Sequence, residues 1–149
     1  MRYTVIIYTQ GAEILSRVLA LDIGTVRTGA AISDPTRTIA QGLGVWDADT
    51  WLENLAECLK KFEPDVIVLG LPVRTDGKHS DAAQRIQNIA AQLQAEYPEM
   101  KIETQDERFT TVIAQRAMLE ADVSRKKRRK SVDKIAAVVI LEDWLESHR

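Results

Sequence analysis

The apolar run Val18-Leu19-Ala20-Leu21 leads directly into Asp22-Ile23-Gly24. A strand whose residues are apolar in sequence, rather than in alternation, has to be covered on both faces. This predicts a central strand in a sheet with helices on either side. Asp22 then falls at the carboxyl end of that strand, where ligands gather in open α/β sheets. A carboxylate is expensive to bury there unless it is paired or holds a metal. The bland alternative is that Asp22 caps the following turn through backbone N–H groups.

The rest of the chain supplies the partners for such a strand. Thr28-Gly29-Ala30-Ala31-Ile32-Ser33 predicts a second strand, stopped by Asp34-Pro35 and joined to the first by a tight glycine-containing turn, hence an antiparallel hairpin. A third strand is expected from Ile39 to Val45. Trp51, Leu52, Leu55, Ala56, Leu59 and Phe62 recur at helical spacing, behind Asp49 or Thr50 as a cap. Val66-Ile67-Val68-Leu69-Gly70 is a β-branched strand, followed by a loop from Val73 to His79. Ser80 or Asp81 opens a helix with Ala82, Ala83, Ile86, Ile89, Ala90 and Leu93 on its apolar face, and Met100 to Thr104 is a final strand. Two more helices are expected, one carrying Val112, Ile113, Ala117 and Leu119, the other running from about Val132 to Leu145. Strands alternating with helices imply parallel pairing with crossovers. The fold class predicted is α/β, a mixed five-stranded sheet with three antiparallel and then parallel strands and helices on both faces. One domain is expected over residues 17–149, preceded by an extension, residues 1–16, that is either an extra strand or disordered.

A length of 149 residues suits one domain with one sizeable core. The single cysteine, Cys58, excludes an intrachain disulfide framework and is expected half-buried on a helix. No apolar run approaches the roughly 18 residues of a membrane span, so no membrane role and a cytoplasmic location are expected. The net charge of −2 argues against a generic electrostatic binder of nucleic acid. The charge is unevenly placed, however: Arg125-Lys126-Lys127-Arg128-Arg129-Lys130 is an unbroken basic run, which taken by itself reads as a solvated loop.

Three acids are candidates for chemistry. Asp22 has been introduced. Glu107 follows the last strand and would project from the same sheet end, unless it merely pairs with Arg108 at the surface. Asp133 heads a stripe of Ala136, Ala137, Ile140 and Trp144, a face suited to lie on the sheet; the alternative is a helix-dipole role. If the acids converge, their oxygens suit Mg2+ or Mn2+, and a pair of such ions can activate water and stabilise the leaving oxygen of a phosphodiester. Zinc has no His/Cys cluster to hold it: His79 and His148 are far apart and expected at the surface. Ser80 has no evident base partner for nucleophilic chemistry. Asp-Ile-Gly-Thr, residues 22–25, also opens the domains of sugar kinases and actin-like ATPases, but those need two such domains, and this chain has room for one.

Four motifs in order resemble the YqgF/RuvX family, described as pre-16S rRNA nucleases related to the Holliday junction resolvase RuvC. They are Leu21-Asp22-Ile23-Gly24 with Arg27 and Gly29, Val68-Leu69-Gly70-Leu71-Pro72 with Asp76-Gly77, Asp106-Glu107-Arg108-Phe109-Thr110-Thr111, and Val132-Asp133 with Ala136-Ala137 and Ile140-Leu141. The resemblance spans about Val18 to Leu145. It implies a ribonuclease H-like fold and a hydrolase with a catalytic, metal-binding site of Asp22, Glu107 and Asp133. It implies that the enzyme matures the 5′ end of 16S rRNA, with Arg27, Arg108 and the run Arg125, Lys126, Lys127, Arg128, Arg129 and Lys130 contacting phosphates. Precursor rRNA is the expected partner and structured DNA the alternative, with the protein a monomer or homodimer. The rival functions are a junction-resolving DNA endonuclease and a non-catalytic RNA-binding or transcription-associated module. Two features depart from the family pattern: the residues before Arg17, and the absence of a fourth acid on the last helix, for which Asp106 and Asp34 are the weak candidates.

Overall fold

The computed structural model describes residues 8–9, 12–13, 16–72, 80–107 and 125–149, with the backbone path alone at 8–9, 12–13 and 125–133. Strands β1 (Tyr8–Thr9) and β2 (Ala12–Glu13) pair antiparallel as a two-stranded sheet of their own. The main sheet contains β3 (Val18–Ile23), β4 (Arg27–Ser33), β5 (Ala40–Asp47), β6 (Val66–Leu71) and β7 (Lys101–Asp106), in the order β5-β4-β3-β6-β7. β3 is antiparallel to β4, and β4 to β5, whereas β6 runs parallel to both β3 and β7. The predicted sheet, antiparallel on one side and parallel on the other, is therefore the one formed. The extension's strands do not join it.

The apolar run of β3 is central for the reason its sequence suggests. Leu19, Leu21 and Ile23 face one way and join Leu55 and Leu59 of α1 (Trp51–Phe62) and Ala83, Ile86 and Leu93 of α2 (Asp81–Glu96). Val18 and Ala20 face the other way, against Ala137, Ile140, Leu141 and Trp144 of α3 (Arg125–Ser147). Both halves of the strand are buried, so the alternation that marks a one-sided strand is missing.

The helix boundaries follow local chemistry. Ser80, not Asp81, caps α2, its hydroxyl accepting from Ala83 N at 3.2 Å. Thr50 stands at the N-cap of α1 without a side-chain capping bond, and Glu63 closes that helix in the left-handed region, at φ 49°. Cys58 is half-buried on α1, as expected. The largest departures from the sequence reading are at β5 and α3. β5 extends to Asp47, with an irregular register opposite Ala30 and Ala31. α3 begins at Arg125 rather than near Val132, so the basic run is helical backbone and not loop. Arginine and lysine are good helix formers without any apolar stripe. The helix expected around Val112 to Leu119, the loop from Val73 to His79, and Arg108 lie outside the described residues.

Candidate active site

β3, β6 and β7 run in parallel, so their carboxyl ends lie at one edge of the sheet. Asp22 is the penultimate residue of β3, on the α3-facing side with Val18 and Ala20, and is half-buried. Glu107 follows β7 directly, held by its N–H donating to Leu71 O at 3.0 Å. Its carboxyl turns inward and meets Asp22 through a side-chain hydrogen bond. Two residues far apart in sequence thus share one spot because parallel pairing brings the ends of β3 and β7 to one edge, on either side of β6, and the Glu107 carboxyl lies over Gly70 between them.

Gly70 makes room for this contact. A Cβ at Gly70 would lie 2.7 Å from Glu107 Oε2 and 2.5 Å from Ile140 Cδ1. A side chain here would have to displace the ends of both the Glu107 and the Ile140 side chains from β6. The sequence shows Gly70 as a strand terminator; in the structure it is inside β6, which runs on to Leu71.

The electrostatics of the pair are uncomfortable. Burial, then the neighbouring Asp22 charge, then the hydrogen bond with Asp22 push the Glu107 carboxyl from an ordinary 4.5 up to about 8. Near neutrality Glu107 therefore holds a proton and donates it in a hydrogen bond to the Asp22 carboxylate. The pair therefore carries one negative charge near neutrality, and its dianion is disfavoured unless positive charge is brought to it.

Asp133 belongs to α3, three, four, seven and eleven residues before Ala136, Ala137, Ile140 and Trp144, all buried against the sheet. Its backbone lies in α3, one turn before the buried Ala136 and Ala137. Its side chain, and those of Arg125, Lys126, Lys127, Arg128, Arg129 and Lys130, lie outside the described residues. Among the described residues, no three His, Cys, Asp or Glu side chains cluster as a metal site.

The turn after Asp22 is closed by Gly24 N donating to Arg27 O at 2.9 Å, and a Cβ on Gly24 would lie 2.7 Å from that oxygen. Arg27 opens β4 at the same edge. From α2, Arg85 reaches the turn, its Nη2 donating to Gly24 O at 3.3 Å. No sequence signal singled out Arg85, since one base on a helix looks like ordinary surface.

Of the weak fourth-acid candidates, Asp106 is exposed at the end of β7. Asp34 is excluded. It follows β4, antiparallel to β3, and so lies at the opposite end of the sheet, where Val18 N donates to Ser33 Oγ at 2.8 Å. There it binds its own turn: Thr38 N and Ile39 N donate to Asp34 Oδ1 at 2.7 and 2.9 Å, and the Thr36 hydroxyl donates to Oδ2. His148 is exposed, but its ring stacks on Trp144 at 3.8 Å between centroids.

The protein named "Putative pre-16S rRNA nuclease" from Clostridium perfringens (strain SM101 / Type A) is 41% identical over 133 residues, 87% of this chain and 96% of that protein. A protein of the same name from Halalkalibacterium halodurans is 42% identical over 135 residues, with the same shares. Among solved structures, T. thermophilus RuvC in complex with Holliday junction substrate matches with a TM-score of 0.53 at 14% identity, covering 89% of this chain and 95% of RuvC. That likeness is one of fold, and the fold is ribonuclease H-like. The sequence pattern of the RuvX family, described as Holliday junction resolvase, matches residues 16–147. With the sheet order, the paired acids at its carboxyl edge and relatives aligned over nearly their whole length, this chain belongs to the RuvX family.

Proposed function

We propose that the protein is a nuclease that hydrolyses phosphodiester bonds of precursor 16S rRNA, with Asp22, Glu107 and Asp133 as its catalytic, metal-holding acids. The observation that carries this reading is the hydrogen-bonded Asp22–Glu107 pair at the carboxyl edge, seated on Gly70. The donor set is oxygen only, which suits a hard divalent ion, Mg2+ or Mn2+. A divalent ion would also offset the charge of the two carboxylates, which burial and their proximity disfavour. When bound, the ion would provide Lewis-acid stabilisation of charge developing on the phosphate and lower the pKa of water.

The chain's own residues do the rest. Asp22 fixes one carboxylate on a rigid central strand, and Gly70 holds the Glu107 carboxyl against it. Glu107 holds a proton at neutral pH when the pair stands alone, and a bound divalent ion would favour its ionised form. Arg27, Arg108 and the Arg125–Lys130 run are the phosphate-binding groups of the reading. The nuclease unit is residues 17–149, with residues 1–16 as an appendage. Among the described residues no helix is long and apolar enough to cross a membrane, and a cytoplasmic location goes with the rRNA-maturing role proposed.

Cleavage of a 5′-extended 16S precursor with Mg2+ or Mn2+ tests this. The parent protein should cut and Asp22→Asn should not; equal rates would sink the mechanism. The family's description as Holliday junction resolvase favours a second substrate, so a four-way DNA junction belongs in the same assay. Cutting of the junction alone, by a dimer in a mass measurement, would replace the RNA reading with the DNA one.

A further inference from the structure

Arg85 lies in the second turn of α2, the helix whose N-terminus opens at the carboxyl edge of the sheet after β6. It is the sole base in the sequence of α2 and is exposed. Its guanidinium spans from the helix to the turn that follows Asp22 and spends a donor on Gly24 O. A guanidinium carries five N–H donors in a fixed fork, so donors remain for another acceptor. Gly24 is two residues from Asp22 and, through the turn's own hydrogen bond, is tied to Arg27. The turn thus carries one guanidinium at its end and is touched by a second from the far face of the sheet.

We propose that Arg85 is a phosphate-binding residue for the nucleic-acid strand cut at the Asp22–Glu107 site, anchored by Gly24 O and presenting its remaining donors at the sheet edge. The proposal deepens the nuclease reading and rests on it. Bidentate, planar donors suit phosphate oxygens, and an anchored arginine loses less freedom on binding than one swinging in solvent. The backbone contact explains the choice of residue: the carbonyl orients the fork, so the guanidinium meets the strand from the α2 side. The Arg125–Lys130 run belongs to α3, which packs on the other face of the sheet.

The test measures binding of a labelled single-stranded RNA covering the 5′ end of precursor 16S rRNA, across a salt series, in an Asp22→Asn background so that nothing is cut. Losing one phosphate contact lowers the slope of log affinity against log salt by about 0.7 for a single strand. Arg85→Gln should show that fall, with affinity at low salt reduced roughly 3- to 10-fold. Arg85→Lys should retain the slope. Arg149→Gln, at the far end of the sheet beside Thr38, should leave slope and affinity unchanged. An unaltered slope in Arg85→Gln overturns the proposal, and a lowered melting temperature with that unaltered slope assigns Arg85 to holding the turn instead. An equal slope change in Arg149→Gln also overturns it, as an effect of net charge alone. If the background protein binds no nucleic acid at all, the nuclease reading falls with it.

Discussion

The two ends of the sheet treat a carboxylate in opposite ways. At the amino end of β3, Asp34 is surrounded by donors. Burial works against its charge, but the Thr36 hydroxyl, the Ile39 and Thr38 N–H groups and the Thr38 hydroxyl outweigh it and hold the carboxyl well below the usual range. Beside it the chain is tied down. Arg37, in the left-handed region at φ 58°, donates Nε to Ser16 O at 2.8 Å and Nη2 to Asp65 Oδ1 at 2.6 Å. Its guanidinium also faces the Trp144 ring, and Trp144 Nε1 donates to Glu103 Oε2 at 2.6 Å. At the carboxyl end, Asp22 and Glu107 face each other and oppose each other's charge. One end spends its polar groups on holding the fold together, the other stores a charge imbalance that a ligand can relieve. Location alone does not make an acid functional; the donors around it decide.

The contrast breaks most sharply on substitution. Asp22→Asn or Glu107→Gln should lower cleavage at least about 100-fold, while thermal stability in metal-free buffer near neutrality stays close to the parent's, because an amide keeps a hydrogen bond between the two side chains. A fall in both activity and melting temperature would mean the pair is structural. Gly70→Ala comes next. The added methyl would force apart Glu107 and Ile140, costing roughly 1–3 kcal/mol by denaturant unfolding and reducing cleavage with it.

Asp34→Ala sharpens the other side. Loss of the bonds from Thr36, Thr38 and Ile39 should cost about 1–2 kcal/mol with cleavage per folded molecule unchanged. The pH response has opposite signs at the two ends. Folded Glu107 binds its proton more tightly than unfolded Glu107, so metal-free stability should fall as pH rises from 4.5 to about 8. Glu107→Gln should flatten that slope. Asp34 stabilises above its ordinary value of 3.8 and loses that contribution as pH falls below it. Denaturant titrations at a few pH values, with and without Mg2+, would separate the two.

The sequence revealed one end far better than the other. An acid directly after an unbroken apolar run places Asp22 at a strand end, and the spacing of Ala136, Ala137, Ile140 and Trp144 places α3 on the sheet; both follow from periodicity, a property of neighbours in the chain. The seat that Gly70 makes for Glu107 depends on which strands lie side by side, and a glycine at a strand end shows only a stop. Asp34 is an acid at a strand end and so resembles a ligand by type, but the antiparallel direction of β4, itself legible in the short hairpin, takes it away from Asp22. The start of α3 was hidden because an all-basic turn has no apolar stripe to reveal it.

The mixed direction of the sheet has a consequence for the order in which the protein is made. The β3–β4 ladder, from Leu19↔Ile32 to Ile23↔Thr28, closes over a short turn. The β3–β6 ladder must wait for β5 and α1 to be threaded between its strands, and β7 for α2. Local pairings form early and crossover pairings late. Asp22 belongs to the early hairpin and Glu107 to the last strand of the sheet, so a half-folded chain holds no assembled acid pair. Cutting power should therefore return during refolding no earlier than the pairing of β7 with β6.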